Sequence, residues 1–542
     1  MNAAGTNPRD LTESFHKAAG RVKAWGETTL PDGGTVDDAL TIEGLSFWSA
    51  ISPSLALGHV SQALSRQSRP PSLMEPCRAL VRKVRNTSFH IGMPFVAGRK
   101  ACRGWPGHPS FLFLGFSQYI YRDTLQPVAA RIADRPGSSV IVLDDIVSAR
   151  SGKIVPPGVT HQSWWQHWDT DVTQALRKMR KALQDAKRRL DAPSGLPEII
   201  ASSGIAREDA RRISAWLFDA CFPGLLVQGA IALHIMERHR PALIISPDVN
   251  DPRTRIFGLA GKLSGIRTLE IQFGFYGTND IEWRFFRADH LAVTGEMNLQ
   301  VMMEHGIPRE KMTVTGSPRY DSALSRPPEL VRSIRHSLGV PDGKVMALFA
   351  SQPYYYGAFD NPEIRREMME ELFRAASSVD RLVLVVKPHP LENRAELARL
   401  AKGGRNILFA DKRLDIRNLI KAADAFVTFF SGTTFDALVM NKPTINLAFP
   451  GSCANTLFEQ CGATHVARSA DDVGRILHSI GGDRIEDLLV DRAPARGKLL
   501  RDWFFLLDGC AAERIVAIAM AMAALPGSGI FCGTTTCSPI TS

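Results

Sequence analysis

Short apolar runs of strand length alternate with helix-like segments in two stretches of the chain. In the first stretch, such runs lie at 111–116, 139–145, 242–248, 267–274, 290–295 and 312–316. In the second stretch, they lie at 345–350, 381–386, 406–410, 425–430 and 443–447. Continuous apolar runs separated by helical segments are typical of strands buried in parallel sheets. The pattern therefore predicts an α/β fold with two Rossmann-like, doubly wound lobes.

Proline-rich residues between the two stretches indicate a hinge, at Pro327, Pro328 and Pro341. We predict four parts: an irregular N-terminal extension (1–105), a first lobe (106–330), a second lobe (331–525) and a flexible tail (526–542). The strand pattern stops at about 151–225, where we predict a helical insert in the first lobe.

A basic helix is predicted within this insert, at about 170–190. Its apolar residues fall roughly on one face. Its basic residues are Arg177, Lys178, Arg180, Lys181, Lys187, Arg188 and Arg189. Two interpretations stay open: the solvated face of an ordinary helix, or an electrostatic dock for an anionic membrane or polymer.

Composition narrows the class of protein. The 542 residues are 44% hydrophobic and 22% charged, which is typical of a globular protein, and the formal net charge is +10. This charge favours anionic partners in general, but no nucleic-acid recognition motif accompanies it, so nucleic acid is not expected. The eight cysteines include no CxxC pair, so no structural zinc site is expected. We find no signal peptide and no apolar run of about 18 residues, and expect a cytoplasmic protein without a membrane span.

Polar residues at the carboxyl ends of the predicted strands are the candidates for chemistry, because ligands of open parallel sheets bind there. The turn Ser431-Gly432-Thr433-Thr434 precedes a predicted helix. Its hydroxyl groups and the helix start suit a phosphate or diphosphate. The same residues would equally serve as ordinary helix caps.

A second candidate is Lys387-Pro388-His389-Pro390, which follows another strand of the second lobe. The two prolines stiffen the turn and hold His389 in a fixed direction. A histidine there can donate a hydrogen bond to a phosphate or a proton to a leaving group.

Strand ends of the first lobe supply further candidates. Gly316 would let the backbone approach a ligand, and Arg319 would clamp a phosphate, with Asp321 orienting it. Gln272 and Gly274 lie at another strand end. The acids at the remaining strand ends are candidates for a general base toward an acceptor hydroxyl, namely Asp144, Asp145 and Asp248.

Several of these segments, taken in order, resemble a pattern of bacterial surface-polysaccharide and teichoic-acid polymerases. The matching residues of the first lobe are Gln272-Phe273-Gly274, Gly295, Gly306-Ile307-Pro308, Lys311 and Val314-Thr315-Gly316-Ser317-Pro318-Arg319-Tyr320-Asp321. Those of the second lobe are Lys387-Pro388-His389-Pro390, Ala423-Asp424, the segment 431–438 and Lys442-Pro443. The resemblance spans roughly residues 240–450. The group comprises GT-B enzymes: capsule glycosyltransferases, polysialyltransferase-like enzymes and CDP-glycerol glycerophosphotransferases.

The resemblance implies roles for individual residues. His389 would contact the donor phosphate or protonate the leaving group. Ser431, Thr433 and Thr434 would hold the nucleotide phosphates. From their strand-end positions, independently of the resemblance, we also expect donor binding by Gly432, Asp436, Lys387, Gly316, Arg319, Gln272 and Gly274, and catalytic roles for Asp145 and Asp248 as general-base candidates. Asp436 stands at the usual Glu position and would hold a ribose hydroxyl. Such enzymes stabilise the departing nucleotide by hydrogen bonds, so neither a metal nor another cofactor is expected.

One departure from the family pattern concerns Phe273, which stands where the family has histidine.

The leading hypothesis is a metal-independent glycosyltransferase that moves a sugar from a nucleotide sugar to a surface-polysaccharide or lipid-linked glycan, at the inner face of the cell membrane. The alternatives are a CDP-glycerol-type glycerophosphotransferase and a non-catalytic nucleotide- or glycan-binding protein. A sugar-nucleotide 2-epimerase shares the architecture, but the sequence shows no catalytic acids that it would need.

Overall fold

The chain divides into two compact units, each built on one parallel sheet. The computed structural model describes residues 8–65, 105, 110–144, 155–247, 250–274, 280–322, 327–354, 362–452, 456–482 and 484–524. The first unit comprises residues 1–319 and 508–542, and the second comprises residues 320–507. The two predicted Rossmann-like lobes are confirmed in this architecture.

The sheet of the first unit has seven strands among the described residues, all parallel, in the order β5-β4-β3-β6-β7-β8-β9. The strands are β3 (Ser110–Leu114), β4 (Ser139–Asp144), β5 (Val159–Ser163), β6 (Leu243–Ser246), β7 (Thr268–Ile271), β8 (His290–Val293) and β9 (Met312–Val314). All five residues of β3 are buried, because helices cover both faces of the sheet.

Helices and a small hairpin complete the first unit. They are α1 (Pro8–Glu27), α2 (Val36–Ala39), the hairpin β1 (Thr41–Ile42) and β2 (Leu45–Ser46), α3 (Phe47–Ser65), α4 (Gln126–Ala133), α5 (Thr170–Leu190), α6 (Leu196–Ser202), α7 (Arg207–Trp216), α8 (Phe222–His239), α9 (Pro252–Leu263), α10 (Glu296–Glu304) and, at the end of the chain, α19 (Ala511–Ala524). A short helical turn (Gln118–Ile120) and a π-helical turn (Tyr121–Leu125) lead into α4.

The part of the N-terminal extension that the structure describes is helical and belongs to the core. Val22 of α1 and Phe47 of α3 are fully buried in the same cluster as Leu112 of the sheet. The sequence pattern predicted no element here, because the apolar residues of α3 surround the helix instead of forming one stripe.

The insert predicted at 151–225 contains a strand as well as helices. β5 pairs with β4 in parallel register and forms the edge of the sheet. Its sequence, Val-Thr-His-Gln-Ser, is too polar to be recognised as a buried strand. The basic helix α5 has the predicted bounds.

Within the described ranges, one helical stretch, Arg207–His239, is long and apolar enough to cross a membrane. However, 56% of its most apolar window is buried inside the protein. Its α8 segment contributes Phe222, Ile231 and Ile235 to the core of the first unit. This is the burial of a core helix, and it explains why the stretch is apolar without a membrane.

The sheet of the second unit has six described strands, all parallel, in the order β12-β11-β10-β13-β14-β15. The strands are β10 (Val345–Ala350), β11 (Leu382–Lys387), β12 (Ile407–Phe409), β13 (Ala425–Thr428), β14 (Thr444–Leu447) and β15 (His465–Ala467). The helices are α11 (Pro328–Ser337), α12 (Pro362–Ser377), α13 (Arg394–Leu400), α14 (Ile416–Ala422), α15 (Thr433–Val439), α16 (Thr456–Gln460), α17 (Ala470–Gly481) and α18 (Ile485–Phe504).

The predicted bounds of the second lobe, 331–525, are wrong at both ends. The unit begins at Tyr320 and ends at Leu507, and the last helix returns to the first unit. There Ile515 and Ala519 of α19 pack in one cluster with Phe113 of β3. Burial of this apolar helix against the first sheet explains the assignment. The tail predicted at 526–542 lies outside the described residues.

Candidate functional site

The loops that carry the main candidates lie at one edge of the second sheet. Strand β10 pairs with β11 on one side and with β13 on the other, and Ala350 is level with both Lys387 and Thr428. Neighbouring strands are about 4.8 Å apart, so the ends of β11 and β13 lie about 10 Å apart. The loop that contains His389 and the turn at 431–434 therefore leave the sheet side by side. We call this place the carboxyl edge of the second sheet.

The ring of His389 is held in one orientation by its own turn. It is partly exposed, and its Nδ1 accepts a hydrogen bond from the backbone N–H of Leu391 at 3.2 Å. A neutral imidazole that accepts at Nδ1 carries its proton on Nε2. His389 thus offers an Nε2–H donor, which is the group that a phosphate oxygen requires.

A buried carboxylate anchors this turn. Glu392 Oε2 accepts hydrogen bonds from the backbone N–H of His389 at 2.8 Å and from the Ser351 hydroxyl at 2.5 Å. Its Oε1 is paired with the guanidinium of Arg365. Glu392 and Arg365 are both largely buried, so each charge needs the other as its partner. Because the pair is complete, it stabilises the turn.

The same network reaches the neighbouring turn. Arg365 Nε donates to the carbonyl of Gln352 at 2.7 Å, and Gln352 Oε1 accepts from the backbone N–H of Phe430 at 3.1 Å. Gln352 follows Ser351 at the end of β10. One set of side chains thereby fixes the loops after three adjacent strands.

Three residues of the Ser/Thr turn are accessible: Ser431, Gly432 and Thr433. Ser431 Oγ accepts from the backbone N–H of Thr433 at 3.3 Å and from its hydroxyl at 2.8 Å. Ser431 thus satisfies the first backbone N–H of α15, although the residue at the N-cap position is Gly432, which makes no side-chain capping bond. Gly432 has φ −57° and ψ −18°, which any residue adopts, and a Cβ there would meet nothing within 4 Å. Glycine is not required by the backbone, but it leaves the turn uncovered.

Two other residues predicted to bind the donor are in the interior. Thr434 and Asp436 are buried, because the first turn of α15 directs this side of the helix into the unit. The Thr434 hydroxyl accepts from Asn446 Nδ2 at 3.4 Å. Both side chains are packed inside the unit, and their donor-binding roles stay predictions.

Lys387 has an internal role in the structure, and its contact with the donor stays a prediction. Its Nζ donates to the carbonyls of Asp411 at 3.1 Å and Lys412 at 2.6 Å, and burial lowers the pKa of Lys387. The ammonium group therefore links the loop after β12 to the end of β11 by hydrogen bonds.

In the first unit, Gln272 is fully buried and its amide is fully used. Nε2 donates to the Gly274 carbonyl at 2.8 Å and to Asn298 Oδ1 at 2.7 Å, and Oε1 accepts from the backbone N–H of Thr294 at 3.1 Å. Gln272 and Gly274 thus stabilise the strand end, and donor binding by these two residues stays a prediction.

Arg319 is likewise engaged inside its own unit. Its guanidinium donates to the Tyr119 hydroxyl at 2.6 Å and to Asp123 Oδ2 at 3.0 Å. A buried carboxylate already pairs with this arginine, and the phosphate clamp stays a prediction. Gly316 is buried with φ +81°, a conformation that favours glycine, so it serves the turn after β9.

The predicted acids Asp145 and Asp248 lie outside the described residues. The third acid, Asp144, is described, and its Oδ2 lies 2.5 Å from Nδ1 of His161. Sequence reasoning missed His161 because β5 was not recognised. The alternation of Val159, His161 and Ser163 was the available signal.

One group among the described residues has the spacing of a metal site: Asp169, Asp171 and His234. However, Asp169 Oδ1 caps α5 through the backbone N–H of Asp171 and Val172. Its Oδ2 is 3.1 Å from His234 Nε2 and 3.5 Å from Arg238. The cluster is accounted for as a helix cap with an ion pair.

Comparison with known proteins finds a family match for part of the chain. Residues 277–450 match the family model of CDP-glycerol:poly(glycerophosphate) glycerophosphotransferase. This segment contains both His389 and the turn at 431–434. The chain matches no curated protein sequence.

Several solved structures are similar in fold. S. aureus MnaA with UDP has 14% identity and a TM-score of 0.47, covering 78% of this chain and 100% of that chain. The UDP-GlcNAc 2-epimerase of Neisseria meningitidis has 12% identity and a TM-score of 0.44, covering 76% and 99%. The wall teichoic acid polymerase TagF has 11% identity and a TM-score of 0.48, covering 82% and 97%. At these identities and TM-scores, the likeness carries no information on ligands or chemistry.

The family match is independent of these structural similarities, because it rests on the sequence of the segment itself. It confirms the resemblance to bacterial surface-polymer transferases that the motifs indicated. Over residues 277–450, this chain is similar to the CDP-glycerol glycerophosphotransferase family.

Proposed function

We propose that the protein transfers a glycerophosphate group from CDP-glycerol to a hydroxyl group of a surface polymer or its lipid-linked precursor. The observation that carries this proposal is the carboxyl edge of the second sheet. There the loop that carries the Nε2–H of His389 follows β11, and the uncovered turn at 431–433 follows β13, with β10 between these two strands. All of them lie within the matched segment. Both features suit the diphosphate of a nucleotide-activated donor.

In this proposal, the acceptor oxygen attacks the phosphorus that bears glycerol, and CMP leaves. Negative charge then grows on the departing phosphate. His389 donates its Nε2 hydrogen bond to that phosphate, and the hydroxyl groups of Ser431 and Thr433 hold its oxygens. Fixed donors of this kind stabilise developing charge without reorganisation. We therefore propose that the reaction needs no cofactor and proceeds in the presence of EDTA.

A sugar donor is the second candidate. The leading hypothesis from the sequence has a sugar as the transferred group, whereas the family match favours glycerophosphate. The nucleotide product separates the two, because CDP-glycerol yields CMP while a UDP- or GDP-sugar yields the nucleoside diphosphate.

The test combines binding and turnover. CMP, CDP, UDP and GDP are compared for the increase in melting temperature, since a ligand of the folded state stabilises it. Turnover is then measured as nucleotide release from CDP-glycerol, UDP-sugars and GDP-sugars with a glycerol phosphate oligomer or a glycan as acceptor. We expect stabilisation by cytidine nucleotides and release of CMP. Binding without release from any donor would instead support a non-catalytic nucleotide-binding protein.

We further propose that the protein works at the cytoplasmic face of the membrane and docks through α5. Four basic residues of this helix are exposed and have no ion-pair partner among the described side chains: Arg177, Lys178, Arg180 and Lys181. The apolar face of α5 is buried in the core of the first unit, so the helix is not free to insert into lipid. Docking would therefore be electrostatic and would require anionic headgroups.

A further inference from the structure

A cleft beneath α9 in the first unit has no part in the proposed donor site. It lies between α9 and residues 287–289, with β6 and β7 beneath it. Its volume is about 50 Å³, whereas a buried water needs about 10–15 Å³, so it has room for more than one water molecule. Its lining includes Ser246, Thr254, Gly258, Lys262, Arg287 and Asp289. We call it the α9 cleft.

The cleft follows the length of α9. Thr254, Gly258 and Lys262 are spaced by four residues, so they lie on one face of the helix. The eight residues from Thr254 to Lys262 correspond to about 12 Å along the helix axis. These two residues therefore mark opposite ends of the cleft, and a ligand that fills it is elongated.

Two hydroxyl residues line the end of the cleft near the start of α9. Thr254 is 6% exposed, and Ser246, the last residue of β6, is 7% exposed. Neither hydroxyl group has a hydrogen-bond partner in the described part of the chain. Buried polar groups nearly always have such a partner, in the protein, in water or in a ligand. Because the described residues supply none, the partner of these hydroxyl groups enters the cleft from solution.

Two basic side chains line the opposite end, where β7 begins. Lys262 is in the last turn of α9, which leads into β7. Arg287 stands two residues before Asp289, whose Oδ2 accepts from the backbone N–H of Thr268, the first residue of β7, at 2.8 Å. Lys262 and Arg287 are exposed and form no ion pair or hydrogen bond with other described residues. Two such cations at one opening favour an anion with several oxygen atoms.

The remaining charges of the cleft are compensated within the protein. Asp289 Oδ2 also accepts from the hydroxyl of Thr268 at 3.0 Å. Burial lowers the pKa of Arg255 to about 10, the charge of Arg287 adds to this effect, and the charge of the buried Glu270 opposes it. With three basic and two acidic side chains in its lining, the cleft keeps an excess of positive charge.

Glycine in the middle of α9 leaves the cleft open between its two ends. Glycine in a helix interior is less stable than alanine. A Cβ on Gly258 would meet one atom within 4 Å, the methyl group of Thr268 at 4.0 Å, so crowding does not require glycine here. A longer side chain at this position would take up the space between α9 and β7.

We propose that the α9 cleft binds a small polyol phosphate. The phosphate group lies at the exposed end between Lys262 and Arg287, whose cationic groups pair with its oxygens. The carbon chain follows α9, and its hydroxyl groups exchange hydrogen bonds with Ser246 and Thr254. This inference does not depend on the proposed function, since all of these residues belong to the first unit.

The test is a calorimetric titration of the full chain with glycerol 3-phosphate, inorganic phosphate and glycerol at constant ionic strength. We expect glycerol 3-phosphate to bind about fivefold more tightly than inorganic phosphate, because it also reaches the buried hydroxyl groups, and glycerol to bind most weakly. Arg287→Gln should weaken the binding of glycerol 3-phosphate about tenfold, the effect of one charged hydrogen bond. Lys311→Gln removes one exposed charge elsewhere in the first unit and, as the matched control, should stay within about twofold of wild type.

Thr254→Val tests the hydroxyl end of the cleft separately. Because this hydroxyl group has no described partner in the protein, its removal should leave the melting temperature without ligand unchanged or raised. The affinity for glycerol 3-phosphate should nevertheless fall about fivefold, while that for inorganic phosphate stays within about twofold. Gly258→Leu, which fills the cleft, should abolish the binding of glycerol 3-phosphate.

The Ser/Thr turn of the second unit is also expected to hold phosphates, so the double variant Ser431→Ala with Thr433→Ala is titrated in parallel. Affinity for glycerol 3-phosphate that persists in this variant and falls in Arg287→Gln supports the α9 cleft as the site. The reverse pattern would overturn the inference, as would equal affinities for glycerol 3-phosphate and inorganic phosphate or no binding to wild type. An oligomer of glycerol phosphate that binds more tightly than the monomer, and again loses affinity in Arg287→Gln, would identify the polyol phosphate as the end of a polymer.

Discussion

At the scale of single residues, the hydrogen-bonding direction of His389 determines what the ring can do. The Leu391 amide occupies Nδ1, so the ring acts through Nε2. We expect His389→Ala to lower nucleotide release at least about tenfold, because a donor to the leaving phosphate is lost. His336→Ala, on an exposed face of α11, is the control and should leave the rate unchanged. Near-normal turnover in His389→Ala would remove the ring from the mechanism.

A substitution at Gly432 tests nucleotide binding separately from the stability of the protein. Because its backbone is helical and its Cβ position is open, Gly432→Ala should leave the free energy of unfolding unchanged or raise it by about 0.4–1 kcal/mol. The added methyl group would nevertheless cover the turn where we place the phosphates. We therefore expect weaker nucleotide binding in calorimetry, by about fivefold or more, in a protein of normal stability.

The control for this variant is Gly474→Ala, within α17 of the same unit. A Cβ there also meets nothing within 4 Å, so a similar gain in stability is expected with nucleotide affinity unchanged. Equal affinities in wild type and Gly432→Ala would show that Ser431 and Thr433 are helix caps without a ligand.

Residue roles were the least predictable part of the site. Arg319, Lys387 and Gln272 were all expected to bind the donor, since each is a polar side chain at a strand end. In the structure, each of them bonds to other groups of the protein, as Arg319 does to Asp123, 196 residues earlier. A sequence pattern identifies which residues reach a strand end, but it does not show which of them are already neutralised by a distant side chain.

At the scale of elements, the basic helix α5 makes the sharpest prediction. Its apolar side is buried, and the exposed charges alone would bind a membrane. We expect binding to phosphatidylserine-containing vesicles at low salt, and little binding at about 0.5 M salt because ions screen the attraction. Lys181→Glu should weaken binding, and Lys178→Glu with Lys181→Glu should weaken it further.

Lys311→Glu is the matched control for α5, since it reverses one exposed charge elsewhere in the first unit. It should bind vesicles nearly as well as wild type. If wild type fails to bind anionic vesicles at low salt, or if Lys311→Glu is as weak as Lys181→Glu, α5 is only a solvated helix face.

Elements were predictable where their side chains follow one simple pattern. β3, β10 and β11 are continuous apolar runs because helices cover both faces of each sheet, and α5 has a clear apolar stripe. α3 is apolar around its circumference and β5 is polar, so neither shows the expected period. The missed strand was also the one that carries His161.

At the scale of the whole molecule, the division of the chain was only partly predictable. The hinge prolines indicated two lobes, but α19 rejoins the first unit after the second is complete. Arg514 of α19 donates to the Thr315 carbonyl at 2.7 Å and is paired with Asp508. The packing of α19 on the first unit depends on the fit of this apolar helix to one face of one sheet. The sequence of the helix does not show which of the two sheets it fits.

Buried and half-buried histidines make the stability of the first unit sensitive to acid. Burial lowers the pKa of His167 to about 3 and those of His239 and His290 to about 4. The unfolded chain, with ordinary pKa values near 6.5, binds protons at a pH where the native state does not. The stability from these groups is therefore complete above about pH 6.5 and is lost progressively as the pH falls toward about 4.

We expect the melting temperature of the first unit to fall between pH 7 and pH 5, a range in which ordinary carboxylates remain charged. His290→Gln removes one of the three groups, so its melting temperature should change less over this range than that of wild type. His336→Gln is the control, because His336 is exposed, and its pH profile should match wild type. A melting temperature that does not change from pH 7 to pH 5 would mean that the native protein protonates these rings as readily as the unfolded chain does.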